Sequence, residues 1–202
     1  HKDRHLAEYR ELISIPSIST LKENKADVLR AAHWLAEQLK QLKMERVEIM
    51  LTPGHPIIYG EWLKAPGKPT ILVYGHYDVQ PPDPLDLWNS GPFDPVIRDE
   101  KIFARGSCDD KGQFYMHVKA LETLVKTNTL STNIKFIIEG EEEIGSPNLA
   151  KFVASHKTLL SADVILISDT AMISMDNPSI DIGVRGLSYI EVEVTGPNRD
   201  LH

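Results

Sequence analysis

Four short stretches of this sequence gather side chains that can hold a cation or move a proton: His76-Tyr77-Asp78, Asp109-Asp110, the acidic run from Glu139 through Glu143, and Ser168-Asp169. In extended chain, residues two apart point the same way. The Asp78 carboxylate can therefore reach the His76 imidazole and accept the proton of the ring nitrogen turned away from a metal. A polar surface turn would carry the same letters. Asp109 and Asp110 precede a helical pattern, so one can cap that helix while the other ligates. Cys108 beside them reads as packing. Four acids within five residues ordinarily make a solvated, self-repelling loop. Held against the end of a strand, they need a cation or a retained proton. Asp169 taken singly is an ordinary strand-end acid. Taken together, His76, Asp109, Glu143 and Asp169 are ligands that could converge on one site. Mixed imidazole and carboxylate donors suit zinc, manganese or cobalt better than calcium. Glu142, left over beside them, is the kind of carboxylate that water activation requires.

The elements that must position these residues alternate between helical and strand periodicity. Apolar residues keep a three-to-four spacing over 27–43, which predicts a helix with one buried face. Residues 47–51 alternate with period two, and Ile57–Trp62 is a second extended stretch. Residues 70–75 are apolar on both faces, as in an interior strand of a covered sheet. A helix is predicted over Lys111–Lys126, a strand over 133–138, and a helix start at Ser146-Pro147. Residues 163–167 read as a third buried strand. This order implies an α/β fold with a mainly parallel sheet flanked by helices. Every ligand cluster then falls at the carboxyl end of a strand or in the loop beyond it, where open α/β sheets place their ligands. Residues 80–99, rich in proline with Trp88 and Phe93, form a long loop whose aromatics favour an ordered course. Period-two patterns at 180–182 and 189–195, after Gly183 and Gly186, suggest that a second unit begins there.

Composition narrows the function classes. The 202 residues carry 22 basic and 29 acidic side chains, a formal net charge of −7, without a Lys/Arg block. Such a chain is a poor candidate for nucleic acid or an anionic membrane surface. No apolar run approaches the roughly 20 residues that span a bilayer. A single cysteine excludes a disulfide framework, and a cytoplasmic location is expected. Phosphate-loop, H-E-x-x-H and G-x-S-x-G patterns do not occur.

The motifs also carry a resemblance. Gly75-His76-Tyr77-Asp78-Val79-Gln80-Pro81, Arg105-Gly106 through Asp109-Asp110-Lys111-Gly112, Glu139-Gly140 with Glu142-Glu143, and Ser168-Asp169 resemble the M20 family of di-metal peptidases and amide hydrolases. The likeness is strongest to its carnosinase-like and non-specific dipeptidase branch. It implies hydrolysis of the amide bond of dipeptides or short peptides by two divalent metal ions, zinc foremost and manganese or cobalt as alternatives. An N-acyl amino acid deacylase and a non-catalytic metal-binding module are the rival readings. By the resemblance, Asp109 bridges the metals, His76 and Asp169 complete one, and Glu143 serves the second. Asp78 orients His76, Glu142 is the general base, and the Asp109–Asp110 bond is cis. The resemblance further implies a catalytic domain over 1–184 and the start of an α+β lid domain over 185–202. His202 matches a lid histidine that reaches across a homodimer to the substrate carbonyl. A further metal-binding histidine belongs to a region beyond the lid, so the chain reads as a fragment expected to be inactive alone.

Overall fold

The computed structural model describes residues 1–174 and 176–196. Their contacts divide into two units, His1–Asp169 and a second beginning at Thr170. In the first unit, helices α1 (Lys2–Ile13), α2 (Lys25–Gln41), α3 (Lys111–Lys126) and α4 (Leu149–Ser155) accompany seven strands. Five strands make one sheet: β1 (Arg46–Met50), β2 (Ile57–Trp62), β3 (Thr70–His76), β6 (Asn133–Glu139) and β7 (Val164–Ile167), in the spatial order β1-β2-β6-β3-β7. Strands β4 (Val96–Arg98) and β5 (Lys101–Phe103) form a separate hairpin. The strands that carry the predicted ligands, β3, β6 and β7, are parallel; β1 and β2 join antiparallel at the other edge.

Alternation along the strands sorts side chains into two cores. Ile58, Val73, Phe136 and Ile138 face the helices, where Val28, Leu35 and Leu39 of α2 and Phe114, Val118 and Leu121 of α3 meet them. Ile57, Tyr59, Leu72 and Ile137 point to the opposite face and are covered by Phe152 of α4 and by Leu160. With both faces of its centre covered, the sheet holds the ends of β3 and β6 rigidly side by side. His76 is the register partner of Glu139.

Several expectations shift. The helix predicted over 27–43 runs two residues earlier at each end, and α1 was not anticipated; its Leu12 and Ile13 are buried. The helix expected from Ser146-Pro147 starts at Leu149 instead. Ser146 takes a left-handed backbone, φ 50°, and its carbonyl accepts the Leu149 N–H at 3.1 Å, a single turn that precedes the helix. The 80–99 loop is ordered: the Trp88 indole donates to the Pro82 carbonyl at 2.6 Å, and β4 lies within it. Strand β7 pairs with β3 as expected but is not buried, since all four of its side chains are exposed. It ends the sheet, and among the described residues its packing is mainly with β3.

Among the described residues of the second unit there is one isolated pairing, Ser174 with Asn177. Residues 178–196 form no strand, so the patterns at 180–182 and 189–195 are not paired among the described residues. The period-two signal marks a chain able to pair, and pairing needs a partner strand. Among the described residues, no helix is long and apolar enough to cross a membrane.

Candidate metal centre

Strand β3 ends by delivering His76, fully buried, to the carboxyl edge of the sheet. Its Nε2 lies 3.1 Å from Asp109 Oδ1, 3.5 Å from Asp169 Oδ2 and 3.8 Å from Glu142 Oε2. One donor atom each from His76, Asp109 and Asp169 falls within 4.8 Å of the others. These residues come from the end of β3, the loop before α3 and the residues after β7, so three separate elements meet at one rim. The other ring nitrogen, Nδ1, sits 3.3 Å from Asp78 Oδ1 and 3.1 Å from the Asp78 carbonyl. The same Asp78 carboxylate, fully buried, accepts the backbone N–H groups of Glu142 at 3.2 Å and Glu143 at 3.1 Å.

The electrostatics are those of a site short of positive charge. Burial disfavours the imidazolium, yet hydrogen bonds to Asp109 and Asp78 outweigh it and raise the His76 pKa to about 11. His76 in turn lowers the pKa of Asp109. Burial first, and neighbouring carboxylates after it, push Glu142, Glu143 and Asp169 upward. Burial also pushes Asp110 up to about 7. One Asp110 oxygen accepts the His76 N–H at 3.1 Å, and the other, buried, has no partner. Carboxylates this crowded, with an imidazole nitrogen aimed between them, fit divalent cations by charge and by donor type.

The structure therefore unites His76, Asp109 and Asp169, with the Glu142 carboxylate at the same rim and Asp78 behind the ring. The Asp109–Asp110 bond is cis. Glu143 lies outside the triad; Gln80 Nε2 donates to its Oε2 at 2.8 Å and to its carbonyl at 3.1 Å. His202 lies outside the described residues. Cys108 is exposed and takes no part in the triad.

Residues 72–198 match the sequence pattern of peptidase family M20/M25/M40. The chain belongs to the M20 family. Over its whole length it is 31% identical to the Cys-Gly metallodipeptidase dug1 of Schizosaccharomyces pombe, covering 45% of that protein. It is 32% identical over its whole length to human Beta-Ala-His dipeptidase, covering 43% of it. In structure it is similar to human carnosine dipeptidase 1, with a TM-score of 0.81 and 32% identity over 86% of this chain and 40% of that one. It is similar too to the M20 family metallo-carboxypeptidase Sso-CP2 of Sulfolobus solfataricus, with a TM-score of 0.78 and 34% identity over 86% of this chain and 38% of that one. The chain thus spans a little under half the length of the curated relatives it matches.

In this M20 chain, three further residues, Lys111, Tyr9 and Asp110, brace the metal rim. Lys111 is fully buried, and its ammonium donates to the carbonyls of Leu12 at 3.2 Å and Ile15 at 2.7 Å. Tyr9 of α1 donates to the Ser107 carbonyl. Together they tie α1 to the loop that carries Asp109. Asp110 occupies the N-cap position of α3 without a side-chain cap bond, serving the His76 amide instead. The paired acids were the only sequence signal for that role, and a lysine after two aspartates reads by default as solvated.

Proposed function

We propose that the M20 protein to which these residues belong hydrolyses the amide bond of dipeptides or short peptides, with two divalent metal ions, zinc foremost, as cofactors. The observation that carries this reading is the convergence of His76, Asp109 and Asp169, with Glu142 open at the same rim. Bound cations would supply Lewis acidity, polarising the scissile carbonyl and lowering the pKa of water. His76, Asp109 and Asp169 would hold one, with Asp109 shared to a second that Glu143 serves. Glu142 takes a proton from the attacking water as the new C–O bond forms, and returns it to the amine as the C–N bond breaks. Asp78 acts behind the ring, fixing the face that His76 presents.

The names of the relatives, a Cys-Gly metallodipeptidase and a Beta-Ala-His dipeptidase, favour a peptide substrate over an N-acyl amino acid. The same reading assigns 1–184 to the catalytic domain and 185–202 to the beginning of a lid. Within that lid His202 polarises the substrate carbonyl across a homodimer. The single cysteine, Cys108, is in keeping with a cytoplasmic enzyme. The test compares Cys-Gly, β-Ala-His and an N-acetyl amino acid as substrates of the whole protein, before and after chelation and zinc readdition. Chelator-sensitive cleavage of the dipeptides supports the reading. Cleavage of the acetylated substrate alone would make it a deacylase, and no cleavage of either would leave a binding module.

A further inference from the structure

The acidic run is divided by the fold. Of its members, Glu139 and Glu141 are buried, whereas Glu142 and Glu143 are only half-buried. Glu141 accepts the His55 N–H at 3.0 Å and the Asn148 amide at 2.7 Å. Glu139, 1% exposed, accepts through one oxygen the Tyr74 hydroxyl at 2.7 Å and the Ser146 hydroxyl at 2.8 Å. Among the described residues no hydrogen bond engages the Glu142 carboxylate. The backbone between these anchors is confined as well. The Ser146 N–H donates to the Glu141 carbonyl at 2.8 Å and the Gly145 N–H to the Glu142 carbonyl at 2.9 Å. A Cβ on Gly140 would stand 2.4 Å from the Tyr77 ring, so the loop leaves the strand in close contact with that side chain.

We propose that Glu139 and Ser146 form a clasp that positions the Glu142 carboxylate. The bond joins the residue that ends β6 to the residue that closes the loop, turning 139–146 into a ring with Glu142 at its crest. Asp78 holds that crest from behind through the Glu142 and Glu143 amides. Opening the clasp frees the loop's far end, held at Ser146 by a left-handed backbone that favours glycine or asparagine over serine. Serine occupies a costly conformation here, and the hydroxyl is what it adds over glycine. Neither residue touches substrate; both are positioning residues, and the inference rests on the hydrolase reading for its catalytic consequence.

Ser146→Gly is the informative variant, because it removes the hydroxyl while easing the backbone. In the whole protein, kcat for the dipeptide is expected to fall by about ten- to a hundredfold with KM and bound zinc unchanged. Amide exchange at Glu142 and Glu143, followed in the metal-free protein, is expected to accelerate about tenfold while the amides of β3 stay protected. Unchanged exchange at those two amides would overturn the clasp whatever the activity. A fall in KM-linked binding or in zinc content, with kcat preserved, would overturn its positioning role. A wild-type protein that cleaves no dipeptide would end the hydrolase reading, and the exchange measurement would still decide the clasp.

Discussion

The buried Asp78 carboxylate lies 3.3 Å from His76 Nδ1, on the side of the ring away from Asp109, which is 3.1 Å from Nε2. The imidazole is thus held from behind and left open in front. Because the two Asp78 oxygens also accept the Glu142 and Glu143 amides, one side chain couples the direction of the ring to the position of the acidic loop.

Removing that coupling should weaken the metal site. Asp78→Ala leaves Nδ1 without its carboxylate and two amides without their acceptor. We expect zinc affinity, measured by competition with a chromogenic chelator, to drop about ten- to a hundredfold. Asp78→Asn, which still offers a carbonyl oxygen, should lose less. Equal affinity in wild type and Asp78→Ala would show that the ring is oriented by the Asp78 backbone carbonyl alone.

Glu142→Gln tests the proton-moving role. The triad of His76, Asp109 and Asp169 is untouched by the change. In the whole protein, elemental analysis should therefore find the wild-type metal content, while kcat for a dipeptide falls by about 10²- to 10⁴-fold. Turnover near wild type would assign the proton to another group.

Cations that bind only the folded chain stabilise it by mass action. At a zinc concentration about a hundred times Kd, the gain is about 2.7 kcal/mol, visible as a rise in Tm. His76→Ala should abolish that rise. A zinc-induced shift that survives the substitution would place the tight site elsewhere.

Gly75 precedes His76 where β3 and α3 approach closely. A Cβ there would stand 2.4 Å from Phe114 Cβ and 2.9 Å from Asp110 Oδ2. Gly75→Ala should cost about 1–3 kcal/mol by overpacking, read from the urea midpoint. It should also disturb the Asp110 bond to the His76 amide. A midpoint equal to wild type would show that α3 can move aside.

Away from the site, Glu122 of α3 gathers Arg4, Lys119 and Lys126, and its side chain is 5% exposed. Burial opposes its charge, but the three donors hold its pKa at about 2. An unfolded glutamate titrates near 4.3, so the folded value is depressed. Its stabilising contribution is complete above that unfolded value and is lost as pH falls toward about 2. Glu122→Gln should lower stability near neutral pH by about 1–3 kcal/mol. It should also flatten the acid limb of a plot of stability against pH. An acid limb as steep as wild type would remove Glu122 from the acid response.

Period and spacing alone were sufficient for much of this molecule. Residues two apart in extended chain placed Asp78 behind His76; apolar rows every three or four residues marked α2 and α3; apolar runs marked β3 and β6. These are local properties, set by the geometry of a single strand or helix. What only the tertiary structure decided depends on neighbours distant in sequence. The acids at 139–143 look alike as letters, yet Tyr74, Ser146, His55 and Asn148 bury two of them, Gln80 holds a third, and Glu142 is left at the rim. Asp110 could not be told from a helix cap until the His76 amide came within its reach. Strand β7 reads as buried from its composition, but burial is a statement about what lies above and below a strand, and no run of four residues contains that information.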